Sequence, residues 1–208
     1  RSSDLLQGVL DGRIQGLYVV GENPAVAEPG SALVREALEK VQFLVVQDLF
    51  LSETARYADV VLPACSIVER DGTLTSTERR VQRVRQALAP RGDSRADWDI
   101  VRALANELGA GWSYGSPEEI FAEITKVVPV YSGLTYARLE QGGVQWPYDQ
   151  EADVGTSLLY SDGFPGGKAK LGPLDVMDLP RETKAANDGY RFTLTTGIER
   201  EHFGTGGR

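Results

Sequence analysis

Three short apolar runs open the chain, and none alternates with polar residues. Gly16-Leu17-Tyr18-Val19-Val20, Phe43-Leu44-Val45-Val46 and Asp59-Val60-Val61-Leu62 are each of strand length and rich in β-branched residues. Between the first two, Leu33, Val34, Ala37, Leu38 and Val41 recur at helical spacing behind Ser31, a helix-capping residue type. A helix over residues 5–10 is closed by Asp11-Gly12, and a short one fits Ser52 to Tyr57. Continuous apolar strands separated by helices predict an α/β domain, a parallel sheet flanked by helices on both faces.

After Pro63 the pattern changes. Gly72 to Thr75 and Arg79 to Val84 read as exposed extended segments with polar alternation. Ser94-Arg95-Ala96-Asp97 has capping-box spacing before Trp98, Val101, Ala105 and Leu108, a helix ended by Gly109. Ser116-Pro117-Glu118-Glu119 starts another, with Ser as cap, Pro at the first helical position and Glu closing the box. A shorter helix covers Tyr136 to Leu139. The predicted domains are an α/β domain over 1–140, a connecting segment over 141–189 without periodicity, and a truncated β-rich unit over 190–208.

Each strand ends in polar residues: Gly21-Glu22-Asn23-Pro24, Gln47-Asp48, and Pro63 followed by Glu69-Arg70. In an open parallel sheet, ligands sit outside the carboxyl ends of the strands, so these residues are expected to converge. An amide, a carboxylate and a guanidinium suit a planar heterocycle with adjacent N–H donors, such as guanine, and its phosphates. The plainer account is that Asn-Pro and glycine turns end many strands, with Asp48 capping the helix near Ser52. No Gly-x-Gly-x-x-Gly or P-loop pattern is present, which disfavours an ordinary dinucleotide or P-loop site.

Charge and cysteine count narrow the class. With 30 acids against 22 bases the net charge is -8, which argues against nucleic-acid binding by bulk charge. Six arginines between Arg79 and Arg95 nevertheless face one acid, Asp93, and are expected to form a solvated face. Cys65 is the only cysteine, so an internal disulfide, a cysteine-held cluster or a cysteine zinc site is excluded within these residues, and a reducing, cytoplasmic setting is favoured. No apolar run is long enough to span a membrane, so association with the inner face is at most peripheral. The start at Arg1-Ser2-Ser3 and the stop after an apparent strand suggest a piece of a longer polypeptide. No catalytic triad or histidine cluster is visible.

The stretches GLYVVGENP, FLVVQDLFLSETARYADVVLPA, VERDGTLTSTERRVQRVRQAL, ADWDIVRALANELG and TTGIEREHFGTG, in that order, resemble consecutive motifs of the molybdopterin oxidoreductases. YSGLTYARLEQGGVQWP resembles a segment of the formate dehydrogenase alpha-subunit branch. The resemblance implies an α/β dinucleotide-binding-like domain followed by the start of a C-terminal β-barrel domain. It implies a bis-molybdopterin guanine dinucleotide with Mo or W, and contacts to it from Asn23, Gln47, Asp48, Arg70 and Asp97. The final run would add Thr196, Gly197, His202 and Thr205. Ile198 and Gly204 depart from the Arg and His usual there. The metal-ligating Cys or selenocysteine and the iron–sulfur cysteines would lie upstream, so this segment alone is expected to be inactive. Its partners would be the remainder of the polypeptide and electron-transfer subunits. The alternative is the homologous module of the large iron–sulfur subunit of NADH–quinone oxidoreductase, without the molybdenum cofactor.

Overall fold

In the computed structural model, which describes residues 2–28, 30–168 and 172, the three apolar runs become strands β1 (Gly16–Val20), β2 (Phe43–Asp48) and β3 (Val60–Pro63). They form a parallel sheet in the order β1-β2-β3, with Leu17 opposite Leu44 and Val46 opposite Val61. Helix α1 (Ser2–Leu10) precedes the sheet, and α2 (Pro24–Ala27) and α3 (Ser31–Lys40) connect β1 to β2. Ser31 opens α3 rather than capping it; the cap is Gly30, at φ +78, where a side chain would be strained.

The first core lies on one face of this sheet. Leu6 and Val9 of α1 and Val34, Ala37 and Leu38 of α3 meet Leu44 and Val46 of β2, with Leu17, Val19 and Val61 packed against them. The expectation of helices on both faces needs correction for the described residues. The opposite face carries Tyr18, Val20, Phe43 and Val60, all exposed, with Phe43 at 51%. Side chains alternate across a strand, so an unbroken apolar run loads both faces whether or not both are covered here.

A second core forms beyond β3. Strands β4 (Gly72–Thr75) and β5 (Arg80–Val84) make an antiparallel pair, and β6 (Val144–Gln145) adds to β5. Helices α4 (Asp97–Glu107), α5 (Pro117–Val127) and α6 (Tyr136–Glu140) follow in the chain. Val81, Phe121, Leu134, Tyr136, Leu139 and Val144 are buried together. A two-residue hairpin pair, β7 (Tyr148–Asp149) and β8 (Val154–Gly155), comes next. Residues 144–155 thus contain strands too short to register as periodicity. The chain divides into two units after Ser157, and in the second the Tyr160 and Phe164 rings pack 5.1 Å apart. The 190–208 strand and barrel expectation lies outside the described residues.

The arginine run does not form a bare solvated face. Arg79 donates to the carbonyls of Trp146, Thr156 and Ser157; Arg83 pairs with Glu140 and lies 3.7 Å over the Tyr136 ring; Arg85 also pairs with Glu140. Planar guanidinium groups with several donors can satisfy carbonyls and carboxylates at once, and so bind the hairpin to the segment that follows α6.

Two outcomes check this packing. Leu44, fully buried, should cost about 2–5 kcal/mol when cut to Ala, read by denaturant unfolding of the polypeptide carrying this segment. Hydrogen bonds from Arg83 and Arg85 hold the Glu140 carboxyl below its ordinary range. A depressed folded-state pKa gives stability that is complete above the ordinary glutamate value and lost as pH falls through the folded value. Amide exchange around 136–157 should therefore quicken on acidification, and Glu140→Gln should flatten that dependence.

Candidate functional site

The carboxyl edge of the parallel sheet brings the polar strand ends together through the backbone. Gly21 turns at φ +62 and donates its N–H to the Gln47 carbonyl at 2.9 Å. Ala64 donates to the Asp48 carbonyl at 3.0 Å. Arg95 runs beside the end of β3, with Arg95 N–H to the Pro63 carbonyl at 3.1 Å and Cys65 N–H to the Arg95 carbonyl at 2.9 Å. That bridge delivers the N-terminus of α4, and with it Asp97, to the same edge.

The Ser94 capping box does not form. Ser94 Oγ donates to the Arg91 carbonyl, the cap position is Ala96, and Asp97 is the first helical residue. Its carboxylate therefore sits where helix N–H groups favour negative charge, and turns outward to other partners. Oδ1 accepts from Gln47 Nε2 at 2.7 Å, and Oδ2 pairs with Arg70. Asp97 and Arg70 keep about a third of their side chains exposed, at 30% and 31%. Gln47 is fully buried, with its Oε1 taken by the Tyr18 hydroxyl. So Gln47, Arg70 and Asp97 are joined, but Gln47 is enclosed as a cross-link from β2 to α4. Tyr18 was missed: a tyrosine inside an apolar run looks like core, and only the partner's side chain shows otherwise.

Asn23 builds a neighbouring cluster. Its Oδ1 accepts from Thr54 N–H at 3.1 Å and Thr54 Oγ at 2.7 Å, and its Nδ2 donates to Glu53 Oε2 at 2.7 Å. Thr54, fully buried, also accepts from Ala25 N–H at 3.1 Å. The amide thereby pins the 3₁₀ turn Thr54–Tyr57, the observed form of the expected Ser52–Tyr57 helix, and keeps one N–H in hand. The Asn23 bond holds the exposed Glu53 carboxyl below its ordinary range. Asp48 Oδ1 accepts from Leu49 N–H at 2.6 Å, and its other oxygen has no partner among the described residues. Asp48 does not cap the turn; the cap position is Glu53, and Ser52 Oγ, one residue earlier, accepts from Ala55 N–H.

Glu69 is committed locally, accepting from Ser66 N–H and Oγ, which lowers its pKa and fixes the turn before Arg70. Cys65 is 2% exposed, and burial pushes its thiol pKa up, which suits a packed side chain and not a nucleophile. Beside Asp97, α4 and α5 enclose an apolar groove of about 450 Å³ walled by Trp98, Val101, Trp112, Tyr114 and Ile124. Among the described residues no His/Cys/Asp/Glu group could hold a metal, and no helix is long and apolar enough to cross a membrane. Thr196, Gly197, His202 and Thr205 lie outside the described residues.

The edge can accept paired N–H donors at Asp48 and Asp97, donate one N–H from Asn23, and offer a cation at Arg70. Cutting Asn23 to Ala should release the 53–57 turn and cost about 1–3 kcal/mol, because the buried Thr54 hydroxyl loses its partner; unfolding and proteolysis at that turn read the effect.

The chain is 45% identical over 197 residues, 93% of its length, to the F420-dependent formate dehydrogenase subunit alpha of Methanocaldococcus jannaschii. It is 42% identical over 206 residues to a protein assigned as a formate dehydrogenase in Staphylococcus aureus (strain USA300), covering 98% of this chain. It spans only 29% of the first relative's length and 20% of the second's. Among solved structures, acetylene hydratase from Pelobacter acetylenicus shares the fold, with a TM-score of 0.55 at 17% identity over 66% of this chain and 19% of its own. The family model for molybdopterin oxidoreductase matches residues 1–107, half of the chain and the part that contains the whole polar edge, and the chain belongs to that family.

Proposed function

We propose that this chain is the cofactor-holding segment of the catalytic subunit of a molybdenum or tungsten formate dehydrogenase. The observation that carries the reading is the polar edge itself: Asn23, Asp48, Arg70 and Asp97 stand at the carboxyl ends of a parallel sheet, within the matched family region. Family membership implies a molybdopterin cofactor, and the donor set fits its guanine dinucleotide form. A guanine presents adjacent N–H donors to a carboxylate; Asp48 keeps one oxygen without a partner among the described residues, and Asp97 is partly exposed beside an apolar, aromatic-walled groove. Arg70 is the cation for a phosphate, and the remaining N–H of Asn23 can donate to the same tail. Gln47 holds Asp97 in place from beneath. Thr196, Gly197, His202 and Thr205 complete the proposed set.

In this reading the cofactor supplies the two-electron chemistry, formate to carbon dioxide. The residues described here bind and orient its nucleotide end and screen it from water. The names of the two relatives favour formate over other substrates, and the designation of one as subunit alpha favours partner subunits that take the electrons. Iron–sulfur clusters and the metal-ligating residue belong to the rest of the polypeptide, and the assembly is placed in the cytoplasm.

The test is to purify the full-length polypeptide carrying this segment and measure metal, pterin and guanine nucleotide released on denaturation. The expected result is all three, with formate-dependent dye reduction. Asp48→Asn should retain about tenfold less cofactor while unfolding at nearly the wild-type midpoint, since one charge-assisted bond is lost. The isolated segment should turn over no formate. A folded full-length protein free of metal and pterin would overturn the reading in favour of a structural module of a respiratory complex.

A further inference from the structure

Tyr18 is the side chain on the polar edge that the cofactor reading leaves without a task. It lies on the face of β1 opposite Leu17 and Val19, 39% exposed, and its hydroxyl meets Gln47 Oε1. Gln47 Nε2 meets Asp97 Oδ1 at 2.7 Å, and Asp97 Oδ2 meets Arg70. The direction of every hydrogen in this chain follows from its charged end. A carboxylate only accepts, so the Gln47 atom against Asp97 must be the NH₂. The amide oxygen is then left facing Tyr18, and the phenol must donate. Burial, followed by the charge of Asp97, raises the Tyr18 pKa, which keeps that proton in place.

Gln47 is fully buried, so its amide meets no ligand; what it can do is hold Asp97. Among the described residues each Asp97 oxygen has one partner and keeps further lone-pair capacity, and partners on both oxygens fix the carboxylate plane. Without the Tyr18 hydroxyl the buried amide oxygen has no donor. Turning the amide over would bring that oxygen against the Asp97 carboxylate, so neither orientation satisfies it.

We propose that Tyr18 is a positioning residue that, through Gln47, orients the Asp97 carboxylate to receive two adjacent N–H donors of a guanine base. The assignment rests on the guanine dinucleotide reading above, and a pair of nucleotides separates the two. GDP carries both donors, and IDP lacks the exocyclic amine. Titration calorimetry on the cofactor-free full-length polypeptide should show GDP bound about tenfold more tightly than IDP, the difference expected of one charge-assisted bond. Tyr18→Phe should bring GDP close to IDP while IDP affinity stays within about twofold of wild type. Gln47→Met should do the same, and the double variant should be no worse than Gln47→Met alone, because both act along one chain.

A Tyr18→Phe protein that keeps the wild-type GDP preference overturns the proposal. So does one that weakens GDP and IDP equally, which is what a purely structural tyrosine would do. A wild-type protein that binds neither nucleotide, or does not distinguish them, overturns the guanine reading and this assignment with it.

Discussion

The hydrogen bond from Gln47 to Asp97 is the constraint on which the rest of the site depends. It is 2.7 Å long, it starts from a residue with no exposed surface, and it ends on a carboxylate that also holds Arg70. It ties the middle strand of the parallel sheet to the first turn of α4. A bond to a charged acceptor contributes about 1.5–3 kcal/mol, and leaving either group unpaired beside the sheet costs a comparable amount. The polar edge is therefore held by the same groups that make it polar. Asn23 follows the same logic, with most of its amide spent on Thr54 and Glu53 and one N–H without a partner among the described residues.

This sharing explains why two accounts of the strand ends are compatible. A turn that closes a strand and a turn that faces a ligand need the same residue types, because both must satisfy backbone groups while offering polar atoms outward. In GENP the glycine takes a positive φ and the asparagine pins a distant 3₁₀ turn, so the sequence would be under structural demand even without a ligand. A binding edge needs surplus capacity, and this edge has an Asp48 oxygen without a partner among the described residues, a partly exposed Asp97–Arg70 pair, and an apolar groove beside Asp97.

The second half of the structure solves a different problem. Its core is small, and arginines extend it by stacking on Tyr136 and Trp146 and donating to backbone carbonyls. Some of the acids they meet are neighbours in sequence, as Glu78 is to Arg80, but Glu140, shared by Arg83 and Arg85, lies more than fifty residues away. A run of arginines with a single acid nearby thus becomes a set of cross-links once the chain has folded.

What the residues alone determined is local and periodic. The three β-branched runs form the strands of a parallel sheet, the Ser116-Pro117 start opens a helix, and the ordered motifs identified the family. Even there, Glu119 reaches back to Gly115 N–H rather than to its cap residue. What the tertiary structure decided is which polar atoms meet. Asp97 looked like part of a capping box because Ser94 stands at the right spacing, yet the bridge between Ala64 and Arg95 carries it to the sheet instead. Tyr18 and Gln47, 29 residues apart, and Gln47 and Asp97, 50 apart, find each other only through parallel pairing and the position of α4. Periodicity reports which side of an element is buried; it carries no information about a partner supplied by another element, and hydrogen-bond pairing is a property of that partner.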